Sequence, residues 1–100
     1  MPKPIPTPQH RPDRTATAIL RRLEEYATTT PETTHQEHED RVVGLQHIWL
    51  TAKRAWEREM AAAQAGGVSL NRQQELTGLV RSSVQTHVRK GRDQSREAAA

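Results

Sequence analysis

The hydrophobic positions along the chain recur every three or four residues, which is the spacing of amphipathic helices. The first such segment follows Asp13 and Thr15, either of which can cap a helix, and continues to Ala27. We therefore predict a first helix over about 15–27. Its apolar stripe consists of Ala16, Ile19, Leu20, Leu23, Tyr26 and Ala27.

A second and longer helix is predicted over 35–65. The polar, β-branched segment TTTPETT at 28–34 separates it from the first helix, and Thr34 with Glu37 forms a capping box at its start. The helix could run unbroken or bend near Gly44 or Thr51. Its seven-residue repeat predicts the main core-forming stripe and also suits a coiled-coil seam, against the first helix or a second copy. The stripe contains Val42, Leu45, Trp49, Ala52, Trp56, Met60 and Ala63.

Two shorter helices are predicted after Gly66 and Gly67, which readily close a helix in the left-handed conformation. Ser69 can cap a helix that runs to about Thr77, and Gly78 marks the turn that follows it. The last helix is predicted to end at Gly91.

These elements predict an all-α fold, in which an N-terminal helical hairpin or long helix platform precedes a C-terminal helix-turn-helix. Five of the six prolines lie in the first 12 residues, so we predict a disordered arm over 1–12, either inert or placing Lys3 and Arg11 in a DNA groove. The platform is predicted over 13–65 and the helix-turn-helix over 66–91. Residues 92–100 are expected to fray.

Composition limits the core and the compartment. Hydrophobic residues make up 33% of the chain and Phe is absent, so the predicted core is thin and self-association as a homodimer is expected. The chain has no Cys, which excludes disulfides and thiol chemistry and fits a reducing compartment. No apolar run suits a membrane span or a signal peptide, so we expect a cytoplasmic protein without membrane partners.

Charge is distributed unevenly along the chain. The net charge is +3, but the segments 1–23 and 61–100 are basic and the segment 24–60 is acidic. Basic ends are a hint of nucleic acid, although plain solvation explains them as well.

The segment ELTGLVRSSVQTHVRKGR at 75–92 has the features that a helix-turn-helix needs. Gly78 is suited to the tight turn, Leu79 can fill the angle between the helices, and Val84 and Val88 lie on one stripe of the last helix. The opposite side carries amide, hydroxyl and guanidinium groups, which can bond base edges, and basic residues flank it. An ordinary amphipathic hairpin is the alternative. We predict base contacts by Ser82, Gln85, Thr86 and Arg89, and phosphate contacts by Arg72, Arg81, Lys90 and Arg92.

Residues 52–88 resemble the C-terminal helix-turn-helix of small actinobacterial and actinophage DNA-binding proteins. The shared pieces occur in the same order: Gly67–Val68–Ser69 at the first turn, Leu76–Thr77–Gly78–Leu79 at the second, and Arg81–Ser82–Ser83–Val84 at the start of the last helix. The resemblance implies sequence-directed DNA binding, commonly for transcriptional control in phages and mobile elements.

Three residues depart from the pattern of that family. Gln73 and His87 stand where the family has aliphatic residues, and Val80 replaces a small or capping residue. A buried Gln or His is costly unless it is hydrogen-bonded. We therefore expect a loose local core, or a position for these side chains at an edge or a subunit contact.

Two polar clusters suggest other chemistry but lack the partners it would need. His35, His38 and Glu39 have a spacing that can hold a metal, without a third ligand in a recognisable motif. Ser83 and His87 lie one turn apart, without an orienting group. We expect no enzyme activity, no metal or cofactor and no small-molecule substrate.

The predicted function is therefore sequence-directed binding of double-stranded DNA by a small transcriptional regulator. The alternative is a protein-interaction or assembly module, such as a phage packaging or scaffolding component, that acts through the 35–65 helix. Binding that survives an excess of random DNA would separate the two.

Overall fold

Four helices and no strand make up residues 11–99, which are the residues that the computed structural model describes. The fold is all-α over this range, as the sequence predicts. The predicted arm at 1–12 lies almost wholly outside the described residues. The helices are α1 (Arg14–Tyr26), α2 (His35–Ala65), α3 (Leu70–Thr77) and α4 (Arg81–Ala99).

Capping side chains start the first two helices where the sequence predicts them. Asp13 accepts a hydrogen bond from the backbone N–H of Ala16 at 2.8 Å at the start of α1. At the start of α2, the Glu37 carboxylate accepts from the Thr34 N–H at 3.0 Å, and the Thr34 hydroxyl accepts from the Glu37 N–H at 3.2 Å. The reciprocal pair satisfies two backbone donors that the first turn leaves open. The predicted capping box is therefore confirmed, and α2 is one continuous helix.

The described residues divide into two units, 11–51 and 52–99. In the first unit, the end of α1 and the residues that follow it contact α2. The Arg41 guanidinium donates to the Thr28 carbonyl at 2.8 Å, and the Tyr26 hydroxyl lies against Gly44, where any larger residue would collide with it. Gly44 thus provides the room for the Tyr26 ring.

Residues 11–51 contain no buried side chain. The predicted main core stripe of α2 is therefore wrong in this region: Val42 is 68% exposed and Trp49 is 62% exposed. Of the seven predicted stripe residues, Met60 alone is buried. Periodicity shows which residues share a face, but whether that face is covered depends on the neighbouring helix, and α1 contacts α2 on a different side.

The core of the second unit is formed by the C-terminal part of α2 and by α4. Met60, Val84 and Val88 are buried together, and Val84 has no exposed surface. The predicted stripe of Val84 and Val88 is confirmed. Partly buried apolar side chains extend this core: Ala61, Leu70 and Leu79.

The predicted end of the last helix at Gly91 is wrong, because α4 continues to Ala99. Gly91 is buried inside the helix against the backbone of Glu57, and a Cβ at this position would collide with the Glu57 carbonyl. The glycine therefore permits a close helix crossing instead of ending a helix. The residues predicted to fray, 92–99 of those described, form the last two turns of α4.

Candidate nucleic-acid interface

The turn between α3 and α4 has the local geometry that the sequence predicts. Gly78 has φ 72° and ψ 8°, the left-handed conformation that favours glycine, and its N–H donates to the Gln74 carbonyl at 2.9 Å. The Thr77 hydroxyl accepts from the Leu79 N–H at 3.2 Å. The Leu79 side chain then packs against the Met60–Val84–Val88 core.

Two polar side chains hold helix α3 in place: Ser69 caps its start, and Gln73 bonds it to α2. Ser69 accepts from the Arg72 N–H at 3.1 Å, which confirms the predicted cap. The amide of Gln73 is buried and donates to the Met60 carbonyl at 3.1 Å and to the Val68 carbonyl at 3.5 Å. The expectation of a loose core around Gln73 is therefore wrong, because the amide satisfies a carbonyl of α2 and thereby fixes α3 to that helix.

His87 belongs to a second polar anchor, between α4 and α2. Its Nδ1–H donates to the Glu57 carboxylate at 2.8 Å, and the Gln94 amide donates to the other carboxylate oxygen at 3.3 Å. The Glu57 side chain is only 4% exposed. The His87 ring also stacks at a tilt on Trp56, with a centroid distance of 4.6 Å. His87 thus packs against an aromatic ring, and its Nδ1 is hydrogen-bonded to a buried carboxylate.

The predicted base-contacting residues of α4 lie opposite its buried stripe, except Gln85, which lies on the flank. Ser82, Gln85 and Arg89 are exposed, and at about 100° per residue they lie within one arc of roughly 60°. Thr86 differs from these residues because its side chain is half-buried. Its hydroxyl donates to the Ser82 carbonyl at 2.9 Å. Three of the four predicted residues thus present open polar groups, and Thr86 is turned toward its own helix.

The predicted phosphate-contacting residues fall into separate groups. Arg81 donates to Asn71 at 2.7 Å, which links the start of α4 to α3 beside Arg72. Arg72 pairs with Glu75 at 2.9 Å on the surface of α3. Arg92 donates to Gln64 of α2 at 2.8 Å, and Lys90 is exposed. Lys90 and Arg92 lie in the middle of α4 and not near its end, since the helix extends to Ala99.

The longer helix adds a basic residue that sequence reasoning missed. Arg96 is exposed and lies on the same side as Arg89 and Arg92, because it follows them by seven and four residues. One pattern in the sequence predicts a helix that continues past Gly91. Small or apolar residues recur at intervals of four, three and four, namely Val84, Val88, Gly91 and Ser95. The exposed side of α4 with Arg81, Gln85, Arg89, Arg92 and Arg96, together with Ser82, is called the basic face below.

The chain matches no protein-family model, no curated protein and no solved structure in comparisons with known proteins. Within the described residues, none of the helices is both long and apolar enough to cross a lipid bilayer.

Proposed function

We propose that the protein binds double-stranded DNA through the basic face of α4, with α3, the Gly78 turn and α4 acting as a helix-turn-helix. One observation carries the proposal: a helix that is firmly packed on one side presents amide, hydroxyl and guanidinium groups together on the other. No acidic residue occurs between Glu75 and Asp93, so α4 repels no phosphate as far as Arg92. Beyond that point the exposed Asp93 carboxylate lies 4.0 Å from the Arg96 guanidinium.

The packing beneath the basic face supports this function. A helix that reads bases must be held at a fixed position, because a hydrogen bond to a base edge depends on its geometry. Here the apolar core holds α4 from below, Gly91 brings it close to α2, and His87 and Gln94 bond the buried Glu57.

The residue types on the basic face fit the two tasks of a DNA-binding helix. In the major groove, Gln85 can bond adenine and Arg89 can bond guanine with two hydrogen bonds each, and the Ser82 hydroxyl can serve either base. Arg72, Arg81, Lys90 and Arg92 would bind phosphates and set the register of the helix. Arg96 extends the phosphate-binding side by one turn.

Binding to a pool of random duplexes tests the electrostatic part of the proposal. If about five phosphates are neutralised, a fourfold rise in salt should weaken binding by a few hundredfold. Lys90→Ala should lower the slope of log K against log salt by about one, since it removes one phosphate contact. Fluorescence anisotropy with a labelled duplex measures both effects.

The matched control for Lys90→Ala is Arg22→Ala, which removes the same charge from the exposed surface of α1. It should leave the salt slope unchanged. Equal slopes for wild type and Lys90→Ala, or equal losses in the two variants, would show that Lys90 does not contact the phosphates.

A protein-interaction module is the second candidate, favoured by the exposed apolar side chains of residues 11–51. In this case the chain would bind a protein partner with α2 and would show no preference among duplexes. Discrimination between a selected and a random duplex separates the candidates, since electrostatic attraction alone does not discriminate.

A further inference from the structure

The first unit leaves most of its large apolar side chains open to solvent. Val42, Val43, Trp49 and Leu50 of α2 are 68%, 67%, 62% and 45% exposed. The unit has 41 residues, from Arg11 to Thr51, and none of them is buried. A unit of about this size usually needs a disulfide, a metal or another chain to supply enough burial. The chain has no cysteine for a disulfide.

The exposed apolar residues of α2 are arranged symmetrically about Gln46. Val42 and Val43 precede it by four and three residues, and Trp49 and Leu50 follow it by three and four. All five lie within an arc of about 120° on the helix. Gly44, which contacts α1, lies on nearly the opposite side, so α1 does not cover this arc.

The two ends of the same arc carry opposite charges. Glu39 lies seven residues before Gln46 and Lys53 lies seven residues after it, one turn beyond Leu50 on the continuous helix α2. When two copies of this helix run antiparallel about a two-fold axis at Gln46, each Glu39 faces the Lys53 of the other copy. Val42 then faces Leu50, and Val43 faces Trp49.

We propose that this α2 stripe, from Glu39 to Lys53, binds a second copy of the chain in the antiparallel register centred on Gln46. A two-fold interface requires a surface that complements itself, and the apolar pairs and the reversed charges satisfy that requirement. The seven-residue repeat suits left-handed packing of two helices at about 20°. The two Gln46 amides, each a donor and an acceptor, can bond each other and fix the register.

The self-association does not depend on DNA binding, so either proposal can fail alone. A contact over 15 residues of one helix is about 21 Å long and smaller than a standard interface, so we expect a dissociation constant in the micromolar range. Sedimentation equilibrium of the full chain measures it.

Charge reversal tests the register. Glu39→Lys alone places like charges opposite each other twice per dimer and should raise the dissociation constant about tenfold. The double variant with Lys53→Glu restores opposite charges and should return within about threefold of wild type. Asp40→Lys is the matched control, because it reverses an exposed charge on the same turn but lies about 120° from the centre of the stripe.

Crosslinking tests the orientation independently, because the chain has no cysteine of its own. In an oxidised mixture of Val42→Cys and Leu50→Cys chains, the disulfide between position 42 and position 50 should predominate over the two symmetric products. A monomer throughout the micromolar range, equal effects of Glu39→Lys and Asp40→Lys, or a predominance of 42–42 and 50–50 disulfides would each overturn the proposal.

Discussion

Gly91→Ala should destabilise the C-terminal unit by about 3 kcal/mol or more, and the loss should appear as a lower urea midpoint. A Cβ at position 91 would collide with the Glu57 carbonyl and would lie 2.9 Å from the Arg58 nitrogen. All of these obstacles are backbone atoms, so no rotamer change can remove them. The helices α2 and α4 would have to move apart, which opens the Met60–Val84–Val88 core.

Destabilisation by Gly91→Ala would be the opposite of what alanine does at an ordinary helical position. In an exposed helix interior, alanine in place of glycine stabilises by about 1 kcal/mol. Gly66→Ala is the matched control, since a Cβ there would meet the Ala62 carbonyl at an ordinary 3.4 Å and the backbone is not left-handed. It should change the stability by less than about 0.5 kcal/mol. A neutral or stabilising Gly91→Ala would contradict the close crossing of α4 on α2.

Glu57→Ala should destabilise the same unit by about 2–4 kcal/mol. The buried carboxylate accepts hydrogen bonds from His87 and Gln94, so its removal leaves two donors without their acceptor and a cavity in place of a buried side chain. His87→Ala should cost about 2 kcal/mol, because it leaves a buried carboxylate with one donor fewer and removes the ring that stacks on Trp56.

A double-mutant cycle measures the interaction energy between Glu57 and His87. Chemical denaturation of Glu57→Ala, His87→Ala and the double variant should give a coupling of about 1–2 kcal/mol. Glu59→Ala provides the control, since it removes an exposed carboxylate two residues along α2 and should change stability by less than about 0.5 kcal/mol. Additive effects of Glu57→Ala and His87→Ala would mean that the 2.8 Å hydrogen bond does not hold α4 in place.

The helix starts could be predicted because they depend on neighbouring residues. The Thr34–Glu37 box, the Ser69 cap and the left-handed Gly78 are all local, and each is found as predicted. The burial of Val84 and Val88 could also be predicted from the sequence, because the residues around them are polar and leave a single apolar stripe on α4.

The errors concern residues whose environment is set by a distant element. Gly91 has the same local properties whether it ends a helix or allows a crossing, and only the position of Glu57 decides between them. Gln73 and His87 could not be judged from their own segments, because their partners, the Met60 carbonyl and the Glu57 carboxylate, lie on α2. The exposure of Val42 likewise depends on the side of α2 that α1 contacts.

In the candidate interface, too, features set by neighbouring residues could be predicted and features set by a distant helix could not. Ser82, Gln85 and Arg89 lie together because helical spacing brings them together, and this could be predicted. The links from Arg81 to Asn71 and from Arg92 to Gln64 depend on how the helices cross, and so does the position of Arg96 on a helix that Gly91 does not end.

Selection of bound duplexes from a random pool tests most directly the proposal that the basic face of α4 reads DNA sequence. We expect a recovered motif whose binding survives a large excess of random DNA, and two half-sites about one helical turn apart if a dimer binds. Repeating the selection with Gln85→Ala should abolish the preference at one base pair of each half-site and retain the rest. Recovery of no motif, or a motif unchanged by Gln85→Ala and by Arg89→Ala, would contradict the claim.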